Sequence, residues 1–346
     1  MLIVIALISG GTAVLVRSGA APGAPTSAST RRGEAAVRRP DGGVPDTRPP
    51  SSPSRTVEPL DARLVAAGYE LPPHALVYGA RVDRGPAGLS YREYEAGDGA
   101  LGDDFWPASS IKVLAALGAL DFARSLGFDG GARVVLDVDE EARTLRSIYE
   151  SAIRDSSNED YDLLVQIAGI DRLNSQFLVP ARGFPVTSIT RSYAGADPET
   201  SPAMILDQGD HRTYVPERHA ELDPECDAGN CSNLFEMTES VRRVVLNDEI
   251  PAAERFDIDP ADLAGLTQAL LEAEGFFPQA VADTVGADAR IYAKPGDAED
   301  RDCLDVALIE SLDRRRYLLA ASVPHSEGGC EVLAEVATQV LRLIAS

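Results

Sequence analysis

Lysine is almost absent from this 346-residue sequence: of 32 basic residues, only Lys112 and Lys294 are lysine and the rest are arginine. Because 55 acidic residues outnumber them, the formal net charge is −23. Phosphate binding requires clustered basic surface, so the composition excludes nucleic acid as a partner and disfavours docking on anionic lipid. The two lysines that remain therefore need a specific explanation.

Histidine and cysteine are scarce as well, with four of each. The histidines are scattered, and the cysteines do not have the C-x-x-C spacing of common zinc sites. An even cysteine count in an exported chain favours two disulfides over the rival zinc site. We expect the pairs Cys226–Cys231 and Cys303–Cys330, no metal and no cofactor.

The N-terminal part of the chain divides by composition. Residues 1–17 contain no charge from Met1 to Val16 and end in Arg17, which is typical of a signal peptide or a membrane anchor. Residues 18–59 are rich in Pro, Ala, Ser and Arg and have almost no large apolar residue, so we expect a disordered linker. Residues 60–346 would form the folded domain. This order predicts an extracytoplasmic protein, secreted or membrane-anchored, and we expect a monomer.

The pattern of the folded part predicts strands at both ends and helices between them. Strand-like runs occur at Leu76–Arg84, Leu89–Glu95, Asp288–Ala293, Cys303–Leu312 and Arg316–Val323. Helical patterns occur in the apolar run after Phe105 and at Thr144–Asp155, Tyr161–Ala168, Thr238–Leu246, Pro260–Ala273 and Glu331–Ile344. The predicted fold class is α/β, of the α+β kind. An antiparallel sheet of N- and C-terminal strands is flanked by helices, and an all-helical lobe leaves the site in the cleft between them.

Both lysines lie in contexts that suggest chemistry. Ser109 and Lys112 are three residues apart at a predicted helix start, so their side chains share a face. A buried lysine can lose its proton and act as a base, whereas arginine stays charged. Lys294 follows a predicted strand and is followed by Pro295 and Gly296. The pattern at Ser109 therefore favours an activated serine nucleophile.

A third polar pair, Ser156 and Asn158, lies between two predicted helices. Its alternative interpretation is a helix N-cap, because serine and asparagine are preferred at that position. In order along the chain, Ser109-x-x-Lys112, Ser156-x-Asn158 and Lys294-x-Gly296 resemble the three motifs of the serine β-lactamase and penicillin-binding protein superfamily. The class A β-lactamase branch is the most similar.

This resemblance implies roles for four catalytic residues. Ser109 would attack an amide or lactam carbonyl to give an acyl-enzyme, and Lys112 would be the base for that step. Ser156 would relay a proton to the departing nitrogen. Lys294 would lower the barrier for that relay and attract a substrate carboxylate.

The resemblance also implies a substrate-binding set. Asn158 would hold the substrate's side-chain amide, and Gly296 belongs to the strand motif beside the reacting carbonyl. The backbone N–H groups of Ser109 and Asp297 would form the oxyanion hole. The implied substrates are a β-lactam or a peptidoglycan-type peptide.

Several positions depart from the superfamily pattern. Tyr193 stands where the resemblance would place the glutamate that activates the deacylating water, and Glu199 is the nearest acidic substitute. Pro295 replaces a hydroxyl residue, and Ser157 replaces an aspartate. Asp297 would place a carboxylate beside the substrate carboxylate, with Glu299, Asp300 and Asp302 close in sequence.

Two functions remain open from the sequence. The first is an exported serine hydrolase or acyltransferase with a covalent Ser109 intermediate and slow deacylation. The alternative is a catalytically impaired binding or sensor protein on the same fold.

Overall fold

The computed structural model describes residues 56–97, 99–102, 105–136, 142–222, 224, 226, 229–298 and 301–346. The expected leader, the linker up to residue 55, and Glu299 and Asp300 lie outside the described residues. All described residues fall within one compact unit. No helix in this part of the chain is both long and apolar enough to cross a membrane.

Strands from both ends of the folded part form the largest sheet. The strands of the described residues are β1 (Val57–Pro59), β2 (Leu76–Gly85), β3 (Gly88–Ala96), β4 (Arg133–Leu136), β5 (Arg143–Thr144), β6 (Ser188–Ile189), β7 (Thr200–Ser201), β8 (Met204–Gln208), β9 (His211–Val215), β10 (Arg218–His219), β11 (Asn230–Cys231), β12 (Arg290–Asp297), β13 (Asp302–Glu310) and β14 (Arg316–Pro324).

Helices occupy the middle of the chain and its C-terminal end. They are α1 (Asp61–Ala66), α2 (Lys112–Ser125), α3 (Leu145–Arg154), α4 (Asn158–Ala168), α5 (Ile170–Arg172), α6 (Leu234–Val245), α7 (Pro260–Glu272), α8 (Pro278–Thr284) and α9 (Gly329–Ile344). Short 3-10 turns lie at Ala108–Ile111, Pro180–Arg182, Ala252–Glu254 and His325–Glu327, and a π turn lies at Leu173–Phe177.

The large sheet confirms the predicted pairing of terminal strands. Its six strands have the order β1-β3-β2-β14-β13-β12, and every neighbouring pair is antiparallel except β1 with β3. In the register, Leu319 of β14 lies opposite Ala307 of β13 and Gly79 of β2. The parallel pairing of β1 places Val57–Pro59, the end of the expected linker, in this sheet.

The sheet separates two hydrophobic cores. Along β14, Leu318 and Ala320 face the core shared with α2, while Leu319 and Ala321 face the core shared with α9. This alternation follows from the two-residue period of a strand, and it explains why the strand is apolar on both faces. The helix α2 is buried all round, as its continuous apolar run predicts.

The lobe that the sequence predicts to be all-helical also contains strands. A four-stranded sheet of order β5-β4-β8-β9 packs there, and Gly209 turns the β8–β9 hairpin with φ of +63°. In β8, Met204 and Leu206 are buried and alternate with less buried neighbours, which is a strand signal in a stretch with no helical period.

Both predicted disulfides are present in the structure. Cys226 is bonded to Cys231 across a short loop, and Cys303 of β13 is bonded to Cys330 at the start of α9. The described residues contain no free cysteine.

Candidate active site

The segment before α2 presents Ser109 on a strained turn. Residues Ala108–Ile111 form a 3-10 turn, and Ala108 has φ of +45°, a left-handed value that non-glycine residues rarely adopt. The Ser110 hydroxyl donates to the Pro107 carbonyl over 2.6 Å and fixes this turn. Ser109 is half-buried, and its hydroxyl has no hydrogen bond to another described residue. Backbone strain of this kind is typical of functional sites.

Lys112, the first residue of α2, is fully buried. Its Nζ donates to the Ser156 carbonyl and, over 2.7 Å, to Asn158 Oδ1, and it lies 3.3 Å from Ser156 Oγ. Burial lowers the pKa of Lys112 to about 8, and the negative charge of Asp162 opposes that shift. Lys112 therefore holds the loop that carries the second motif, with an amine that can be neutral near physiological pH.

Ser156 and Asn158 are available to the site because a different residue caps the helix. Ser157 is the N-cap of α4, and its Oγ accepts from the Asp160 amide over 3.1 Å. The N-cap interpretation of the sequence therefore applies to Ser157. Ser156 has φ of +55°, a second strained position beside the lysines.

Lys294 reaches the same serine from the sheet. It lies on β12, which continues beyond the predicted strand end because β12 is an edge strand and tolerates Pro295. Its Nζ donates to Ser156 Oγ over 2.9 Å and to the Pro295 carbonyl over 3.1 Å. Burial, followed by the positive charge of Lys112, lowers the pKa of Lys294 to about 7. Neither lysine forms an ion pair with a carboxylate of the described residues.

Gly296 brings β12 against the Ala108–Ile111 turn that carries Ser109, which we call the serine turn. A Cβ atom at this position would lie 3.0 Å from the Pro107 carbonyl oxygen and 3.1 Å from Ala108 Cβ. Only glycine allows this close approach without displacement of the backbone. The strand motif and the serine turn are therefore adjacent, as the resemblance implies.

The Asp297 side chain is engaged away from Lys294. Its Oδ1 lies 2.8 Å from His325 Nε2, at the end of the sheet where Cys330 begins α9. Asp297, His325 and Cys330 lie within metal-ligand distance of one another, but the Cys330 sulfur belongs to a disulfide. The Asp297 carboxylate thus has His325 as its hydrogen-bonding partner.

Tyr193 lies beside the serine turn, where sequence similarity would place a glutamate. Its hydroxyl donates to the Ala108 carbonyl over 2.9 Å and accepts from Trp106 Nε1 over 3.1 Å. Its ring stacks on Tyr161 with centroids 4.5 Å apart, and Lys112 Nζ lies 5.8 Å from the ring centre. Burial raises the pKa of Tyr193 to about 12, so this hydroxyl stays protonated at neutral pH.

Glu199 does not substitute for the missing glutamate in this structure. It is exposed and lines a separate cavity of about 300 Å³ together with Arg218 and Glu221. No carboxylate of the described residues is hydrogen-bonded to Ser109, Lys112 or Lys294.

Three residues near the site were not identified from the sequence. Trp106 packs behind Tyr193, and Asn230, which is fully buried, donates to the Tyr161 hydroxyl over 2.9 Å. His325 pairs with Asp297. The sequence could have indicated Trp106, since it is the single tryptophan of the chain and lies three residues before Ser109. Asn230 and His325 are distant in sequence from the motifs, so nothing in the sequence indicated a role for them.

Comparisons with known proteins agree with this architecture. No protein-family model matches the sequence, and no curated protein matches it. Among solved structures, a class A β-lactamase from Mycobacterium abscessus is 18% identical with a TM-score of 0.56, covering 83% of this chain and 99% of its own. The TLA-3 extended-spectrum β-lactamase is 11% identical with a TM-score of 0.58, covering 83% of this chain and 98% of its own.

A penicillin-binding protein has a similar degree of structural similarity to this chain. A variant of PBP-A, solved as an acyl-enzyme complex with penicillin G, is 15% identical with a TM-score of 0.56, covering 83% of this chain and 98% of its own. These TM-scores establish the fold. Identities this low do not establish the activity, which has to be argued from the residues. The chain therefore has the fold of the serine β-lactamase and penicillin-binding protein superfamily.

Proposed function

We propose that this protein is a serine hydrolase or acyltransferase that forms a covalent acyl-enzyme at Ser109. The observation that carries the proposal is the pair of buried lysines around Ser156, with pKa values lowered to about 8 and about 7. Buried amines without carboxylate partners are costly, and near-neutral pKa values are typical of groups that transfer protons in catalysis.

The geometry supports a specific order of steps. Neutral Lys112 takes the Ser109 proton as Ser109 Oγ attacks the carbonyl carbon, and this requires the serine hydroxyl to turn toward Nζ when substrate binds. The oxyanion is stabilised by the backbone N–H groups of Ser109 and Asp297. As the carbon–nitrogen bond breaks, the proton passes from Lys112 through Ser156 to the leaving nitrogen, and the hydrogen bond from Lys294 to Ser156 Oγ orients that hydroxyl for the transfer.

The proposed acyl donors are a β-lactam or a peptidoglycan-type peptide. Asn158 would hold the substrate's side-chain amide, and the Lys294 amine would donate a hydrogen bond to its carboxylate. A superfamily neighbour solved as an acyl-enzyme with penicillin G supports the choice of penicillin as a probe. Deacylation is proposed to be slow, because Tyr193 occupies the glutamate position and its pKa of about 12 prevents it from acting as a base at neutral pH.

We further propose an extracytoplasmic monomer. Two disulfides favour an oxidising compartment, and residues 1–17 have the composition of a signal peptide or membrane anchor. A linker from residue 18 to the start of β1 would separate that segment from the catalytic domain.

The test is intact-mass spectrometry of the full-length chain during incubation with benzylpenicillin. We expect the mass to increase by one penicillin, the adduct to persist for minutes or longer, and the Ser109→Ala variant to remain unmodified. Ser110→Ala, one residue away on the same turn, is the matched control and should still form the adduct, though more slowly because it loses the hydrogen bond to the Pro107 carbonyl. Rapid loss of penicillin without an adduct would contradict slow deacylation.

One observation favours the alternative of a binding or sensor protein. The Ser109 hydroxyl has no hydrogen bond to Lys112, whose Nζ is engaged by Ser156 and Asn158. In that case penicillin would bind without forming an adduct, and Ser109→Ala would bind it as well as the parent chain.

A further inference from the structure

Two arginines contact the single tryptophan at the edge of the candidate site. The guanidinium carbon of Arg191 lies 4.7 Å from the centre of the Trp106 ring, and that of Arg301 lies 5.5 Å from it. Both arginines are exposed, and Trp106 is half-buried. Guanidinium groups in this position are attracted by the negative face of the ring, which fixes their orientation.

Neither guanidinium is neutralised by a carboxylate of the described residues. Neither forms an ion pair within 4 Å with another described residue, although Arg301 is near enough to Asp302 to influence it electrostatically. In a chain with a net charge of −23, two arginines thus lie against one ring without an ion pair to a described carboxylate. A planar guanidinium is also the side chain best suited to bind a carboxylate through two hydrogen bonds.

The backbone around these arginines is well fixed. The Arg191 amide donates to Asn230 Oδ1 over 3.1 Å, and the Arg191 carbonyl accepts from the Tyr161 hydroxyl over 3.0 Å. The Arg301 amide donates to the Ala298 carbonyl over 2.7 Å, and the Arg301 carbonyl accepts from the His325 amide over 2.7 Å. The backbone at both arginines is therefore held in place by hydrogen bonds, although neither residue lies in a helix or strand.

Hydrogen bonds connect this position directly to the serine turn. Trp106 Nε1 donates to Tyr193 Oη, and Tyr193 Oη donates to the carbonyl of Ala108, the residue before Ser109. A ligand held at the tryptophan would thus lie beside the reacting serine.

We propose that Arg191, Arg301 and Trp106 form a carboxylate-binding subsite that selects acyl donors carrying an additional carboxylate on the acyl side chain. The inference rests on the proposed function for the identity of the ligand as an acyl donor. The ring provides an apolar surface for the part of the donor next to the carboxylate, and the two guanidiniums bind the carboxylate itself.

The test compares carbenicillin with benzylpenicillin, which differ by one side-chain carboxylate. Binding is measured by calorimetry on full-length Ser109→Ala, so that acylation does not contribute, and Trp106 fluorescence reports on the subsite because the chain has no other tryptophan. We expect carbenicillin to bind about tenfold more tightly at low salt, and the preference to shrink at high salt. Replacing both arginines, Arg191→Gln with Arg301→Gln, should abolish the preference.

Arg84→Gln is the matched control, because Arg84 is an exposed arginine on β2 whose side chain is 72% accessible. Equal affinity for the two penicillins, or a preference that survives the double arginine replacement, would overturn the subsite. So would carbenicillin binding that leaves Trp106 fluorescence unchanged, or displacement of carbenicillin by an equal concentration of inorganic phosphate. A carbenicillin preference in Ser109→Ala combined with no adduct in the parent chain would support the subsite and contradict the acyl-enzyme.

Discussion

The ability to lose a proton explains why Lys112 and Lys294 are lysine and not arginine. Lys112 and Lys294 both donate to Ser156 Oγ, so two charged amines would repel each other in a buried space. Losing a proton relieves that repulsion, and arginine cannot do so near neutral pH. A sequence that uses arginine at its 30 other Lys/Arg positions has thus kept lysine where a neutral amine is needed.

Lys294→Met should make the protein more stable at neutral pH. The folded pKa of about 7 lies below the ordinary value of 10.5, so the unfolded chain holds a proton that the folded chain lacks between those pH values. The free energy of unfolding therefore rises with pH across this window, and the full cost of burying the charge is present below pH 7.

We expect Lys294→Met to raise the free energy of unfolding by about 2 kcal/mol at pH 7, with a smaller gain near pH 10. Urea denaturation at several pH values measures this gain, and Arg84→Met is the exposed control. A variant that is less stable at pH 7, or that has the same gain at every pH, would contradict the lowered pKa.

Tyr193→Phe isolates the contribution of one hydroxyl. It removes the hydrogen bonds to the Ala108 carbonyl and from Trp106 Nε1 while it preserves the ring stacking. We expect a loss of about 1 kcal/mol of stability and a roughly tenfold slower acylation, since the turn that orients Ser109 is no longer fixed. Tyr214→Phe, at an exposed tyrosine, is the control for both measurements; acylation unchanged by Tyr193→Phe would mean that the hydroxyl has no positioning role.

At the scale of elements, the site depends on how closely β12 approaches the serine turn. The edge position of β12 permits Pro295, and Gly296 permits contact with Pro107 and Ala108. On the other side, the Ser157 cap sets the start of α4 so that Ser156 and Asn158 reach Lys112. β12, the turn before α2 and the start of α4 thus converge at the candidate site.

Gly296→Ala should disturb this convergence. The added methyl group would meet the Pro107 carbonyl oxygen at 3.0 Å and must displace β12 or the turn. We expect a loss of about 1–3 kcal/mol of stability and slower acylation of Ser109. Gly85→Ala on β2 is the matched control, because its nearest neighbouring atom would be 3.9 Å away; equal effects of the two substitutions would contradict the proposed contact.

The sequence predicted the elements better than their contacts. Strong periodicity identified the strands β2, β3, β12, β13 and β14 and the helices α2, α3, α4, α6, α7 and α9 to within a few residues, whereas β1 lies in the segment expected to be a linker. Short strands such as β4 and β8 were missed because four or five residues carry little periodic signal. The contacts of Asp297 with His325 and of Arg301 with Trp106 depend on how distant segments pack, so local sequence could not indicate them.

At the scale of the whole molecule, the two disulfides close loops of different length. Cys303–Cys330 joins residues 27 positions apart and connects the sheet to α9, whereas Cys226–Cys231 closes a loop of five positions. The longer loop restricts the unfolded chain more strongly and should stabilise the fold more.

Removing the disulfides one at a time tests this difference. Replacing Cys303 and Cys330 by alanine should lower the free energy of unfolding by about 3.5 kcal/mol, and replacing Cys226 and Cys231 by about 2 kcal/mol. Guanidinium denaturation of the two variants measures both losses. A larger loss for the short loop would contradict the chain-entropy argument.

The pH dependence of Ser109 acylation by benzylpenicillin tests the central claim most directly. Because Lys112 and Lys294 have pKa values of about 8 and about 7, the rate should rise between pH 6 and pH 9 and then level off. A rate that does not change over this range, or one that rises only near the ordinary lysine value of 10.5, would contradict activation of Ser109 by a neutral buried lysine.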